Sequence, residues 1–513
     1  MSLFDEVLGG IGHIPFLGDQ LNRIAINHIA TRTTSRPRPF SLWSPDPSPP
    51  SPAIGSVSEY TSWPGLTDRR FSGRHLPVAS PEYLAKLQTP VESLIPLFKR
   101  SSPMKEDRSS VLFMFFAQWF TDSVLRVDPT DRRRNTSNHD IDLCQIYGLS
   151  EATASILRSH EGGRLRCRDI DGESFLDYLY VQGDPDSPLT PKPEYAGLPY
   201  IEILDSIFQN DERRRKAYAT GLERGNSTIG YVAISTIFMR EHNRICAGLA
   251  ASNPGWGDER LFQTARMINI VLLMKVVVED YINHIAGNNI FKLDPNFAED
   301  QSWYRTNWIA IEFDLLYRWH SLVPDAIQVA GQTVVAGDFR NNNELLEHVG
   351  IAQVLTSASN QRAGRIGLFN SPSFLLQAET ASLTMSRAFK LQSYNDYREQ
   401  FGLNRLSKFS DLTKDDTAIA SIKQCYGSID DVEFLVGIMA EDRTGGALFG
   451  DLLNTMVAYD AFTQIFTNPL LSRNVFGPQT FSEYGMDVIE STRSIRDIAK
   501  RNIVGDVTAN LGA

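Results

Sequence analysis

Cysteine is scarce, with four residues in 513: Cys144, Cys167, Cys246 and Cys425. They show neither CxxC spacing nor a histidine cluster, which argues against zinc and iron–sulfur sites and leaves free, mostly buried thiols. Positive charge is also short: 50 Lys and Arg against 61 Asp and Glu give a net charge of −11. That balance supplies no basic face for phosphate, so no nucleic-acid partner is expected. The run Arg132-Arg133-Arg134 follows Asp131 and reads as a solvated loop. No run of eighteen apolar residues occurs, so no segment is expected to span a bilayer. Asp5 and Glu6 stand where a signal peptide carries basic residues. An intracellular chain is therefore expected, cytoplasmic or peripheral to a membrane, with the sequons at Asn135 and Asn226 unmodified. Strand-like alternation is rare, and no fixed-period repeat is visible.

What remains is a mainly α composition, 42% hydrophobic and able to fill a sizeable core. Residues 1–35 carry Leu3, Phe4, Val7, Leu8, Ile11, Leu17, Leu21 and Ile24 at helical spacing, broken near Gly9-Gly10 and Gly18. Such short amphipathic helices either lie on a membrane surface or pack on the main body. Residues 36–60 hold seven prolines between Pro37 and Pro52 and read as an extended connector. Residues 61–513 form the catalytic body, with helical periods over Ser109–Val127, Gly230–Leu249, Asp258–Ala286, Trp303–His320, Leu345–Thr356 and Ser428–Met439.

The densest chemistry lies in Leu316-Tyr317-Arg318-Trp319-His320. If Trp303–His320 is one helix, Tyr317 and His320 share a face one turn apart. A histidine nitrogen can hold iron, and a phenol beside it can hold an oxidising equivalent. By themselves such residues are more often satisfied core side chains.

Longer strings decide between those readings. The segments Phe115-Phe116-Ala117-Gln118-Trp119-Phe120-Thr121, Ile141 to Gly148, Arg240-Glu241-His242-Asn243-Arg244 and Pro254 to Thr264 resemble those of cyclooxygenases, the prostaglandin-endoperoxide synthases. Ser393 to Arg398, Tyr426 to Asp430 and Leu448-Phe449-Gly450 agree in the same order, so the resemblance runs from Ile14 to about residue 490. It implies the helical haem peroxidase/cyclooxygenase fold, a haem b cofactor and a homodimer. His320 falls on the family's proximal iron ligand and Tyr317 on its radical-forming tyrosine. In the family mechanism a peroxide activator oxidises the haem, which oxidises the tyrosine. The tyrosyl radical then takes hydrogen from an unsaturated fatty acid or another elongated apolar molecule, and O2 adds to the carbon.

Several positions depart from the family pattern. Gln118 matches the distal glutamine, but Asp122 replaces the distal histidine four residues later and is expected to share its helical face. Asp122 then either acts as the acid–base group or leaves peroxidase turnover weak, with rare activation sufficient for radical formation. His139 is a candidate contact at the haem periphery, with a structural role as the alternative, and Arg318 replaces a histidine at the haem edge. Tyr281, Ile282, Ile285, Phe313, Leu316, Trp319 and Phe449 match the substrate tunnel. Asn288 replaces a tyrosine at its mouth, Asn454 a valine or isoleucine, and Ala461 the serine that aspirin acetylates. A gapless match puts Ile29 at the carboxylate-binding arginine, while one turn of slippage puts Arg32 there. The expected activity is a tyrosyl-radical haem dioxygenase; the alternatives are a peroxidase and a hydroperoxide isomerase or dehydratase working without net O2 incorporation.

Overall fold

The structure, a computed structural model, describes residues 15–33 and 70–513 apart from 102, 185, 186, 209, 296, 305 and 307. The apolar repeat before residue 15 and the proline-rich connector lie outside the described residues. Seven helices position the site. They are α1 (Pro15–Ala30), α2 (Val111–Thr121), α3 (Ile229–Ser252), α4 (Asp258–Val276), α5 (Ile311–Leu316), α6 (Leu376–Ala388) and α7 (Asp451–Phe466).

Helix α2 starts where Ser110 Oγ accepts the Phe113 amide at 3.1 Å, and α3 where Thr228 Oγ accepts the Tyr231 amide at 3.2 Å. Every residue of α2 is buried except Gln118 and Thr121. The helix crosses α3 closely: a Cβ on Gly230 would stand 2.0 Å from the Phe115 ring, so only glycine lets the two backbones approach. Helices α3, α4 and α2 form the centre of the core, with α5 packed on α7.

α1 also packs on α7, burying Ala25, Ile26 and Ala30. Polar contacts fix it further: Asn22 exchanges 3.1 Å hydrogen bonds with the Lys292 backbone, and Trp303 Nε1 donates to Asn27 Oδ1 at 2.8 Å. Three small antiparallel ribbons complete the described fold, β1 (Glu106–Ser110) with β6 (Arg362–Gly364), β2 (Cys167–Ile170) with β3 (Glu173–Leu176), and β4 (Ala326–Val329) with β5 (Gln332–Val335).

The long apolar pattern over Asp258–Ala286 is helical throughout, and by length and composition it could cross a membrane. Its apolar window is nonetheless 78% buried inside the protein, which makes it a core helix. Within it, Val277–Ile282 forms a π-helical segment before α-helix resumes over Asn283–Ala286.

The expected helix over Trp303–His320 is corrected. Only Ile311–Leu316 is α-helical, and His320–Leu322 forms a separate 3-10 turn. Leu345–Thr356 divides into Asn343–Val349 and Ile351–Ser359 at Gly350, whose φ of 80° breaks the helix. Ser428–Met439 begins with a 3-10 turn and becomes α-helical at Phe434. Asn135 and Asn226 are buried and hydrogen-bonded through their side-chain amides.

Candidate active site

A cavity of about 280 Å³ opens between α2 and the segment after α5. His320, Tyr317 and Trp319 line one side, and Gln118, Thr121 and Thr228 line it from α2 and the start of α3. Met114, Ala117, Leu322, Val323, Phe339, Phe374 and Leu375 make most of the remaining wall apolar, with Arg340 among them. Tyr317 and His320 thus share the cavity through a bend rather than a helix. Trp319 N–H donates to the Tyr317 carbonyl at 2.9 Å, closing a tight turn that places His320 at the start of its 3-10 helix.

His320 Nδ1 lies 3.1 Å from Glu379 Oε1 in the first turn of α6 and forms no hydrogen bond among the described residues. Ser371 Oγ donates to the same carboxylate oxygen at 2.6 Å.

Across the cavity, Gln118 Nε2 donates to Ser227 Oγ at 3.2 Å, while Thr228 Oγ donates to Gln118 Oε1 at 3.4 Å. The amide is therefore held by the loop that caps α3.

Asp122 requires a correction: it does not line this cavity. α2 ends at Thr121, and Asp122 is its C-cap, buried with Oδ1 3.5 Å from an Arg224 guanidinium nitrogen and with the Tyr231 hydroxyl against it. Burial raises its pKa, partly opposed by Arg224 and Arg126. The α2 residue that follows Gln118 onto the cavity wall is Thr121.

His139 Nδ1 accepts the Ile309 amide at 2.9 Å, and His139 is not among the cavity-lining residues. Arg318 also stays off the wall, ion-paired with Asp314 one turn back.

The rings around Tyr317 form an aromatic wall. Trp319 stacks on it at 4.5 Å and Phe313 meets it edge-on at 5.1 Å. Phe449 packs on Trp319 at 4.7 Å, and Phe113 links Trp319 to Tyr281. The Tyr281 hydroxyl lies near that of Tyr317 and forms no hydrogen bond among the described residues. Burial raises the Tyr317 phenol pKa, and the charge of Asp460 adds to the effect.

Ile282, Ile285, Leu316 and Ala461 are buried with this wall, whereas Asn288 and Asn454 are half-buried. Arg32 is not brought to Tyr317. It lines a separate open groove with Thr33, Leu76, Gln392, Asp396, Glu399, Gln400 and Gly402.

Sequence reasoning missed Glu379 and Thr121. It also missed a buried pair behind the wall, His75 Nε2 at 2.9 Å from Asp460 Oδ1. No short motif marks any of them, because each partner is remote in the chain or displaced by a helix end.

These residues fit a haem. A largely apolar slot suits the macrocycle, one histidine has Nδ1 against a buried carboxylate and Nε2 left for iron, and the exposed Arg340 offers a cation at the wall.

Comparison with known proteins agrees. The sequence profile described as animal haem peroxidase matches residues 95–510. The chain is 30% identical to prostaglandin G/H synthase 2 of Gallus gallus over 98% of its own length and 80% of that protein. Identity to prostaglandin G/H synthase 2 of Bos taurus is 32%, over 87% of the chain and 73% of that protein. The fold matches the crystal structure of Oryza sativa fatty acid alpha-dioxygenase with a TM-score of 0.70 at 17% identity, covering 98% of this chain and 94% of that one. The chain is an oxidoreductase with haem as its cofactor, and it belongs to the animal haem peroxidase family.

Proposed function

We propose that this protein is a haem-dependent dioxygenase that inserts O2 into an unsaturated, elongated apolar substrate of the fatty-acid class through a radical on Tyr317. The observation that carries the reading is one cavity lined by both His320 and Tyr317, with the Tyr317 ring clamped by Trp319 and Phe313.

Haem held by His320 supplies the oxidising equivalent, drawn from a hydroperoxide, that a nearby phenol can receive. The chain's own residues do the rest. The Tyr317 phenol, its pKa raised further by burial, holds its hydrogen at neutral pH, and the Tyr281 hydroxyl lies near it. The Tyr317 oxygen radical takes a hydrogen atom from a substrate carbon, becoming a phenol again. O2 adds to the carbon radical, and the resulting peroxyl recovers a hydrogen atom from Tyr317. The net change is substrate plus O2 giving a hydroperoxide, with the radical restored for another cycle. Closely packed aromatic side chains hold the Tyr317 ring in place and give it an apolar surround.

A peroxidase that turns over small donors needs an acid–base group opposite the proximal ligand. The wall across from His320 presents Gln118, Thr121 and Thr228, none of which is such a group, and Asp122 is not among the lining residues. That supports the dioxygenase reading over the peroxidase.

The relatives' names, prostaglandin synthases and a fatty acid dioxygenase, support a lipid substrate. Oxygen-electrode screening of linoleate, arachidonate and neutral lipids, with product mass spectrometry, identifies it. Tyr317→Phe is expected to abolish substrate-dependent oxygen uptake while leaving the Soret band unchanged. Uptake that survives the substitution overturns the reading, and anaerobic conversion of a lipid hydroperoxide without oxygen uptake replaces it with an isomerase. In the same reading the protein is a homodimer, which light scattering of the purified chain tests.

A further inference from the structure

We infer that Glu379 is a positioning residue for His320, accepting the Nδ1 proton and so dedicating Nε2 to iron. The inference rests on the reading of His320 as the haem ligand. A neutral imidazole carries its proton on either nitrogen, and the hydrogen bond at one decides which nitrogen is free to bind metal.

Here Glu379 Oε1 stands 3.1 Å from His320 Nδ1, and both groups are withdrawn from solvent, their side chains 2% and 18% exposed. A buried carboxylate is costly unless hydrogen-bonded. Ser371 Oγ supplies one donor at 2.6 Å, and the first turn of α6 supplies the positive end of a helix dipole. Glu379 Oε2 and His320 Nδ1 are both buried without a hydrogen bond among the described residues, 3.1 Å separating Nδ1 from Oε1 of the same carboxylate. A hydrogen bond from Nδ1 to this carboxylate, which a small turn of either side chain would form, satisfies the orphaned imidazole nitrogen. No cavity-lining residue is acidic, and the Asp314 carboxylate is taken by Arg318.

A carboxylate acceptor makes the imidazole a stronger donor at Nε2 than a carbonyl would. That matters on this scaffold, because the opposite wall offers only Gln118, Thr121 and Thr228, none of which is an acid or base at neutral pH. With haem bound, His320 would hold the iron as a more electron-rich ligand, and the group would supply peroxide chemistry without an acid–base residue on the Gln118 wall.

The test is resonance Raman of the haem-loaded ferrous protein, following the iron–histidine stretch in wild type, Glu379→Gln and Glu379→Ala, together with haem transfer to apomyoglobin. The wild-type band is expected at the high frequency of a strongly hydrogen-bonded imidazole and lower in both variants. Haem transfer is expected to be about 10–100-fold faster in the variants. A band and transfer rate unchanged in the variants overturn the inference. If neither variant folds, the wild-type band decides alone, because a frequency typical of an imidazole without a strong acceptor also overturns it. An absent iron–histidine band removes His320 as ligand, and the inference falls with that assignment.

Discussion

Asp122 keeps near-helical backbone angles as the C-cap of α2, φ −65° and ψ −14°, yet it is not among the residues that line the cavity. Asp122 is instead buried beside Arg126 and Tyr231, with the exposed Arg224 at its edge. Its removal is therefore a stability matter. Asp122→Ala is expected to cost about 1–3 kcal/mol in urea denaturation, the usual range for stranding buried polar partners. The rate of hydroperoxide reduction should match wild type, and a large loss of that rate in a folded, haem-loaded variant would restore Asp122 to the active site. Tyr317 and His320 were legible because they sit in one contiguous string with a family-like context. Glu379 was not, since it approaches His320 only through the fold, and a glutamate in the first turn of a helix looks like an ordinary dipole partner.

At the level of elements, amphipathic period located most helices but could not locate their interruptions. The stretch before His320 is apolar enough to look helical, yet the backbone leaves the helix at Tyr317, with φ and ψ of −100° and 18°, and that bend brings both side chains to one cavity. The π segment Val277–Ile282 gives no periodic signal either, since its extra residue merely delays the pattern. It carries Tyr281 and Ile282, so its register sets the approach of Tyr281 to Tyr317. Deleting Val278 restores α-helical register and turns the following residues by about 100° relative to α4. The expected result is loss of substrate-dependent oxygen uptake in a protein that still shows a Soret band. Retained uptake would show that the π register is dispensable.

Helix α3 carries a pH dependence. His242 accepts from the Tyr147 hydroxyl at Nδ1 (2.8 Å) and donates from Nε2 to the Gly163 carbonyl (2.9 Å), an arrangement that needs the neutral ring. Burial lowers its pKa from 6.5 to about 4, with nearby Arg158 and Arg266 adding. Between those values the unfolded chain binds a proton that the folded chain refuses, so stability rises with pH and is lost on acidification. One proton gives a slope of about 1.4 kcal/mol per pH unit, or roughly 3 kcal/mol across the window. Glu441, raised to about 7, and Asp280 and Asp142, each raised to about 6, act in the opposite direction. The comparison must therefore be made between proteins: His242→Gln is expected to be less acid-sensitive than wild type in urea melts between pH 6.5 and 4. Parallel curves would count against the assignment.

Across the whole molecule, the cavity wall is drawn from segments far apart in the chain: Met114 to Thr121, Thr228, Tyr317 to Val323, Phe339-Arg340 and Phe374-Leu375. Composition and period could place this chain among α-helical bodies, but only the fold brings those segments around one ligand. A ligand that binds the folded state alone stabilises it by mass action, about 2.7 kcal/mol at a hundredfold excess over Kd. Haem loading should therefore raise the urea midpoint and add amide protection chiefly at those five segments. The α1–α7 contact, which lies outside the wall, should gain protection only to the extent that unfolding is global. His320→Ala removes the anchor while leaving the apolar slot. Its haem-free midpoint is expected to match haem-free wild type, and its gain on haem addition to be largely lost. If the variant gains as much as wild type, the slot rather than His320 holds the haem; if protection rises evenly over the chain, the cavity is not a separable unit but part of one cooperative core.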